Sequence, residues 1–352
     1  MKVILFILII LGLALANNIY NDKRLISLGD REQEWMDEWQ INKLIKEKRR
    51  FRDITDLTLP QINSRQSVST NIPAKPTYQN IITPLLKKAS AEMPKTILKE
   101  LTSFPNRYFN DENGLKSSEY LFEIVKGIGG NVTKFTHKFP QSSIIARIEG
   151  ESLAEETVII SAHQDSINQM DHQGIAPGAD DDGSGTVAIL ETFRVLIQSN
   201  IKLKRSVEFH WYAGEEGGLL GSADIAQSYA LRKKPTVVAD LHLDMVGFPA
   251  SPPAVGIVTD YTDNATSELL RKIVGAYTDL PTADFTCGYA CSDHASWHEF
   301  GIRSAIPFES QHLDYNGNIH TPADAYETVD FDHLLKYVNI ALGFAIEVAG
   351  IE

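Results

Sequence analysis

Five short polar clusters in this chain carry the side chains that chemistry at a metal would need. They are Ala162-His163-Gln164-Asp165, Gly178-Ala179-Asp180-Asp181-Asp182-Gly183-Ser184-Gly185, Ala213-Gly214-Glu215-Glu216-Gly217-Gly218, Leu243-Asp244-Met245 and Ile319-His320-Thr321-Pro322. Each has an ordinary structural explanation taken alone. A histidine at a strand end is commonly a satisfied core residue, an Asp before a helix is a cap, and a Glu pair is a solvated surface. One cap needs one Asp, however, and three adjacent carboxylates repel one another unless a cation sits among them. Glycines around Glu215 and Glu216 let the backbone approach a ligand closely. Together, one His, one Asp, one Glu, a second Asp and a second His make an N/O donor set for two divalent ions. Such a set suits zinc, whereas calcium or magnesium would call for oxygen alone. Asp165, two residues beyond His163, is placed to orient that imidazole, as metal-bound histidines usually require.

The elements that must position these clusters alternate. Helices are expected over residues 92–104 and 116–128, then strands over 133–139 and 143–148. Thr157-Val158-Ile159-Ile160-Ser161-Ala162 is a continuous β-branched and apolar run, the pattern of a strand buried on both faces. A helix over 185–197, a strand carrying Val207, Phe209 and Trp211, a helix over 222–231 and a strand over 237–245 follow. A helix over 267–278, a short strand over 304–308 and a closing helix over 331–348 complete the pattern. This alternation predicts an α/β fold, a three-layer αβα sandwich on a mixed, mainly parallel sheet. Functional groups in such folds lie beyond the carboxyl ends of the strands, where four of the five clusters fall.

The chain has 352 residues, is 43% hydrophobic and 22% charged, and carries a formal net charge of −13. That acidity excludes nucleic acid and anionic membranes as natural partners. Residues 1–16 read as a signal peptide: Lys2, an apolar run from Val3 to Ala16, and the small-x-small ending Ala14-Leu15-Ala16. The run is too short to span a bilayer. The expected location is therefore extracellular. Residues 17–75 hold 11 Lys/Arg and 9 Asp/Glu; an amphipathic helix is expected over 31–52, with Trp35, Trp39, Leu44 and Ile45 on its apolar face, followed by linker chemistry over 60–76. This segment reads as a pro-region, the alternative being a helical subdomain that stays attached, and residues 76–352 read as the catalytic domain. Cys287 and Cys291 are the two cysteines; in an oxidising compartment they favour a disulfide over a thiolate metal site. Asn131 and Asn264 head glycosylation sequons.

The segments SAHQDS, APGADDDGSGT, FHWYAGEEGGLLGS, LDM, CGYACSDH and IHTPAD occur here in one order and context. In these the chain resembles the secreted leucine aminopeptidases of the co-catalytic di-zinc peptidase family, of bacterial and fungal extracellular type. The likeness runs along essentially the whole chain, including residues 35–55 and Leu101-Thr102-Ser103-Phe104. It implies two zinc ions per chain, bridged by Asp181. His163 and Asp244 would complete one site, Glu216 and His320 the other. Glu215 would bind no metal and act as general base, and Tyr289 would stabilise the oxyanion. Met245, Tyr289, Cys291, Ile306, Phe308, Tyr315 and Ile319 would surround a pocket for a large apolar side chain. Peptides with a free N-terminus would be the substrates and the enzyme a monomer. His312 departs from the aromatic residue of related bacterial enzymes at that position. Glutaminyl cyclase, carboxypeptidase and catalytically inert binding module are the rival readings; a carboxypeptidase would need a cation such as Arg303 for the substrate carboxylate.

Overall fold

The computed structural model describes residues 23–29, 32–47, 49, 51–58, 71–232 and 235–352. Residues 1–16, read as a signal peptide, and most of the 60–76 linker lie outside the described residues. The chain forms two compact units, Met1–Leu57 and Thr58–Glu352.

The first unit overturns the expectation of one helix over 31–52. Strands β1 (Arg24–Gly29) and β2 (Glu32–Met36) pair antiparallel, and β3 (Arg52–Asp53) adds to the other edge of β1. The helix α1 starts only at Glu38 and ends at Lys46, because a capping box closes it at Asp37. Asp37 Oδ1 accepts from the Gln40 amide at 2.9 Å while Gln40 Oε1 accepts from the Asp37 amide at 3.0 Å. Ile26, Met36, Ile41 and Leu44 form its core, with Ile45 packed against them. Trp35 and Trp39 are 46% and 71% exposed, so they do not form the predicted apolar face. The pairing of β2 with β1 and the cap at Asp37 explain the difference.

In the second unit, helices α2 (Gln79–Leu86), α3 (Glu92–Leu101) and α4 (Glu112–Ile128) precede the sheet. Its strands and helices then alternate: β4 (Asn131–Phe135), β5 (Ser143–Ile148), β6 (Leu153–His163), α5 (Gly183–Ser199), β7 (Arg205–Tyr212), α6 (Leu220–Arg232) and β8 (Thr236–His242). After β9 (Val255–Val258), α7 (Asn264–Tyr277) and β10 (Thr282–Phe285) come α8 (His294–Glu299), β11 (Ser304–Ala305), β12 (Pro307–Phe308) and the closing helix α9 (Phe331–Ala349).

The main sheet has the order β11-β8-β6-β7-β5-β4. β11, β8, β6 and β7 run parallel, and β5 and β4 join antiparallel at one edge. Strand β7 shows why it is covered on both faces, since successive side chains point to opposite sides. Phe209 and Trp211 meet Phe193 of α5 on one face. His210 and Tyr212 face α6 and α8 on the other, where His210 lies 5.9 Å from the Tyr229 ring and Trp297 Nε1 donates to the Tyr212 hydroxyl. The result is the predicted αβα sandwich.

Two expectations change in detail. The strand expected over 304–308 is two strands in two sheets. β11 pairs with β8, while β12 joins a small second sheet of order β10-β9-β12, which the sequence reading missed. Ile306 and Pro307 make the switch, and Pro307 has no N–H to continue a ladder. The strand expected over 237–245 stops at His242, which leaves Asp244 and Met245 in a turn. Among the described residues no helix is long and apolar enough to cross a membrane.

Candidate metal centre

β8, β6 and β7 are adjacent and parallel, so their carboxyl ends open side by side. β6 ends on His163 itself. β7 runs into Gly214-Glu215-Glu216, and β8 into Asp244. The turn that opens α5 adds Asp181, and the loop before α9 adds His320. Five residues separated by up to 157 positions are thereby gathered.

Asp181 is central. Its Oδ1 lies 3.1 Å from His163 Nε2 and its Oδ2 2.9 Å from His320 Nε2. Asp244 Oδ1 is 3.6 Å from His163 Nε2, and Glu216 Oε2 is 3.1 Å from His320 Nε2. The donors thus fall into two groups, His163-Asp181-Asp244 and Asp181-Glu216-His320, within each of which the ligand atoms lie within 4.8 Å of one another. Asp244 Oδ1 and Glu216 Oε1 are buried and accept no hydrogen bond, and buried carboxylate oxygens of this kind are satisfied by a cation. The donor set fits divalent metal.

The three adjacent aspartates divide their work. Asp182 Oδ1 accepts from the Gly185 amide at 2.8 Å and caps α5, while its Oδ2 accepts from the His163 amide at 3.1 Å. Asp180 accepts from the Gly247 amide at 2.9 Å and from Asn316 Nδ2 at 2.7 Å. Only Asp181 turns its carboxylate to both histidines. Asp324 fixes this turn, taking the Asp180 and Asp181 amides at 2.9 and 3.1 Å. Asp165 does more than expected of it. Its Oδ1 is 3.4 Å from His163 Nδ1, and its two oxygens accept the Glu215 and Glu216 amides at 3.1 and 3.2 Å. One carboxylate therefore ties the β6 and β7 ends together. At Gly217 a Cβ would lie 2.6 Å from the Phe109 ring, so any larger residue would displace the Phe109 or Leu220 side chain. Met245 and His320 adopt left-handed backbone, φ 53° and 58°. Such strain costs about 1–3 kcal/mol per residue and collects at functional sites.

The electrostatics follow. Burial alone would raise Asp181, but hydrogen bonds from His163 and His320 outweigh it and hold it well below the carboxylate range. Burial would lower His163, yet Asp165, Asp181 and Asp244 push it well above its ordinary value. Burial, countered in part by His320, lifts Glu216 to about 7, and burial raises Glu215 well above the carboxylate range. Arg107, which the sequence reading missed, is a fully buried guanidinium near these acids. It donates to the Gln164, Pro177 and Gly178 carbonyls and so closes the loop between His163 and Asp181. Its position before α4 carried no spacing signal. Ser292, likewise missed, donates to Asp244 Oδ2 at 2.6 Å.

The expected pocket residues separate into groups. Ile306, Cys287, Val258, Tyr289 and Cys291 form one apolar cluster with Phe285 and Leu313. Cys287 and Cys291 are joined by a disulfide, and Phe308 packs on Phe285 at 5.7 Å. Met245 is buried, its carbonyl accepting from the Glu309 amide. Tyr315 stands apart, 39% exposed, with its hydroxyl on the Ser251 amide and its ring 6.1 Å from Phe248. Ile319 is half-buried beside His320, and His312 is exposed. Asn131 and Asn264 are both exposed. Asp324→Ala is expected to weaken divalent-ion binding by about 10- to 100-fold, the usual effect of losing a supporting partner. Chelator competition measures this; unchanged affinity would show that the Asp181 turn holds without Asp324.

The model of peptidase family M28 matches residues 143–345. The chain is 40% identical over 348 residues to "Leucine aminopeptidase 1" of Pyrenophora tritici-repentis, covering 93% of this chain and 89% of that protein. It is 38% identical over 354 residues to "Probable leucine aminopeptidase" of Trichophyton verrucosum, covering 95% and 93%. Among solved structures it is similar to the LapA aminopeptidase of Legionella pneumophila, with a TM-score of 0.80, 26% identity, and coverage of 94% and 99%. The matched region contains every one of the five donor residues, and the chain belongs to peptidase family M28.

Proposed function

We propose that this chain is a secreted di-zinc aminopeptidase that removes a large apolar residue, leucine above all, from the N-terminus of peptides. The observation that carries the reading is the Asp181 carboxylate lying between His163 and His320, each histidine with a second carboxylate of its own. His163 and Asp244 would hold one zinc, Glu216 and His320 the other, with Asp181 shared. Bound there, the pair of ions supplies Lewis-acid polarisation of the scissile carbonyl and acidifies the attacking water. Glu215 belongs to neither donor group. It takes the proton from the attacking water and passes it to the leaving amine, a task helped by the burial that raises its carboxyl. Tyr289 donates to the oxyanion.

The cluster around Ile306, Cys287 and Cys291 would receive the N-terminal side chain, each buried methylene adding about 0.8 kcal/mol. Arg303, the cation the carboxypeptidase reading would need, lies just before β11 with its Nε 4.0 Å from Asp263 Oδ1. The inert-module reading is disfavoured by the complete donor set.

The purified chain should release p-nitroaniline from leucine-p-nitroanilide and lose that activity to o-phenanthroline; full turnover after complete chelation would sink the zinc reading. Glu215→Ala should keep two zinc ions per chain while kcat falls by about 10²- to 10⁴-fold, as loss of a general base does. Unchanged turnover with zinc still bound would remove Glu215 from this role. Secretion with removal of residues 17–75 predicts a mature terminus near residues 70–80 by N-terminal sequencing, and a stable terminus at Asn17 would contradict it.

A further inference from the structure

The loop that carries Tyr289 is fastened to the second sheet by a residue with no part in the proposed chemistry. There β9 and β10 run parallel, and their register ends with Phe285 opposite Val258. Thr259 continues the pairing, its amide and its hydroxyl both donating to the Phe285 carbonyl at 3.0 Å. At the next residue a side chain takes over. Asp260 Oδ1 accepts from the Cys287 amide at 2.9 Å, and its Oδ2 accepts from the Gly288 amide at 2.7 Å. Tyr289 follows directly.

Successive amides converge on one anion only where the backbone curls into a concave turn. Gly288, at φ 80°, supplies that curl in the left-handed region that glycine enters at no steric cost. The anion is the protein's own carboxylate, and charge-assisted bonds of this type are about twice as strong as neutral ones. Other contacts hold the loop without orienting it. The disulfide joins Cys287 and Cys291, four apart and both inside the loop, so it shapes the loop and does not place it on the sheet. Cys287, Tyr289 and Cys291 pack with Val258 and Ile306, and apolar contact of this kind is non-directional. The paired bonds to Asp260 are directional. Two oxygens of one planar carboxylate fix the two peptide units that lead into Tyr289.

We infer that Asp260 is a positioning residue: its two-point hold on the Cys287 and Gly288 amides sets where the Tyr289 hydroxyl stands for the oxyanion. The inference rests on the reading of Tyr289 as the oxyanion donor. Such a donor acts only from the place where charge develops in the transition state. A loop free to swing therefore loses rate while substrate binding is kept.

Leucine-p-nitroanilide kinetics and amide hydrogen exchange on the full zinc-loaded chain test this. Asp260→Ala should lower kcat by about 10- to 100-fold, as small misplacements of a reacting group do, with KM within about twofold of the parent chain. Asp260→Asn, which keeps one acceptor oxygen, should lose less. In a Tyr289→Phe background, Asp260→Ala should cost less than about twofold more, since changes that act through one hydroxyl do not add. Full additivity of the two losses, or a raised KM with kcat kept, overturns the positioning role. Exchange reads the hold itself: the Cys287 and Gly288 amides should exchange at least about 10-fold faster in Asp260→Ala, and unchanged rates overturn it. Should Asp260→Ala not fold, Asp260→Asn carries both comparisons. Tyr289→Phe alone separates the two readings. Unchanged kcat in that variant defeats the oxyanion assignment and with it the catalytic role of Asp260. A large loss there, with the Asp260 effect additive to it, defeats the role of Asp260 alone.

Discussion

Everything at the carboxyl end of this sheet depends on keeping several carboxylates close together in a buried place. Unpaired, such charges would each cost several kcal/mol to desolvate and would repel their neighbours. Asp181 is the point where that cost is met, because its two oxygens address two different histidines. The surrounding structure then makes any other arrangement difficult. Asp324 clamps the backbone on one side, Asp182 ties the same turn to the His163 amide, and Asp165 joins His163 to the amides of Glu215 and Glu216. These supporting acids are saturated by backbone N–H groups. The proposed ligand acids Asp244 and Glu216 each keep one oxygen free of hydrogen bonds.

The fold supplies the convergence at low cost. Three adjacent parallel strands end together: β6 presents His163 as its last residue, while β7 and β8 need only three residues and one residue of turn to bring in Glu216 and Asp244. Coverage of both faces by α5 and α9 on one side and α6 and α8 on the other buries the strands, so the turns have little freedom. The left-handed backbone of Met245 and His320 is tolerated because packing overdetermines it. Arg107 adds a buried positive charge and three donors to the carbonyls of the loop between His163 and Asp181. The five donor residues all lie within the stretch that the peptidase family M28 model matches.

Much of this was legible in the order of residues, and the parts that were not share a cause. The αβα sandwich followed from apolar runs such as Thr157–Ala162 alternating with helical patterns, since burial on both faces leaves a mark in composition. The first unit was misread because β2 is short and its Trp35 forms, with Trp39 of α1, a spacing that also fits a helical stripe; pairing with β1 decided the matter. The second sheet escaped because β9, β10 and β12 have four, four and two residues, too few for periodicity to show.

At the site, the sequence by itself determined which residue types were present and that each followed a strand or opened a helix. It determined the chemistry of the donors, His and carboxylate, and hence the class of metal. Residue type could not choose among Asp180, Asp181 and Asp182, which are identical; the resemblance singled out Asp181, and only the tertiary structure shows why, through the partners that long-range contacts give each of the three. The same holds for Arg107, Asp324 and Ser292. Their roles come from hydrogen bonds to residues 48 to 144 positions away, and no local spacing records such partners.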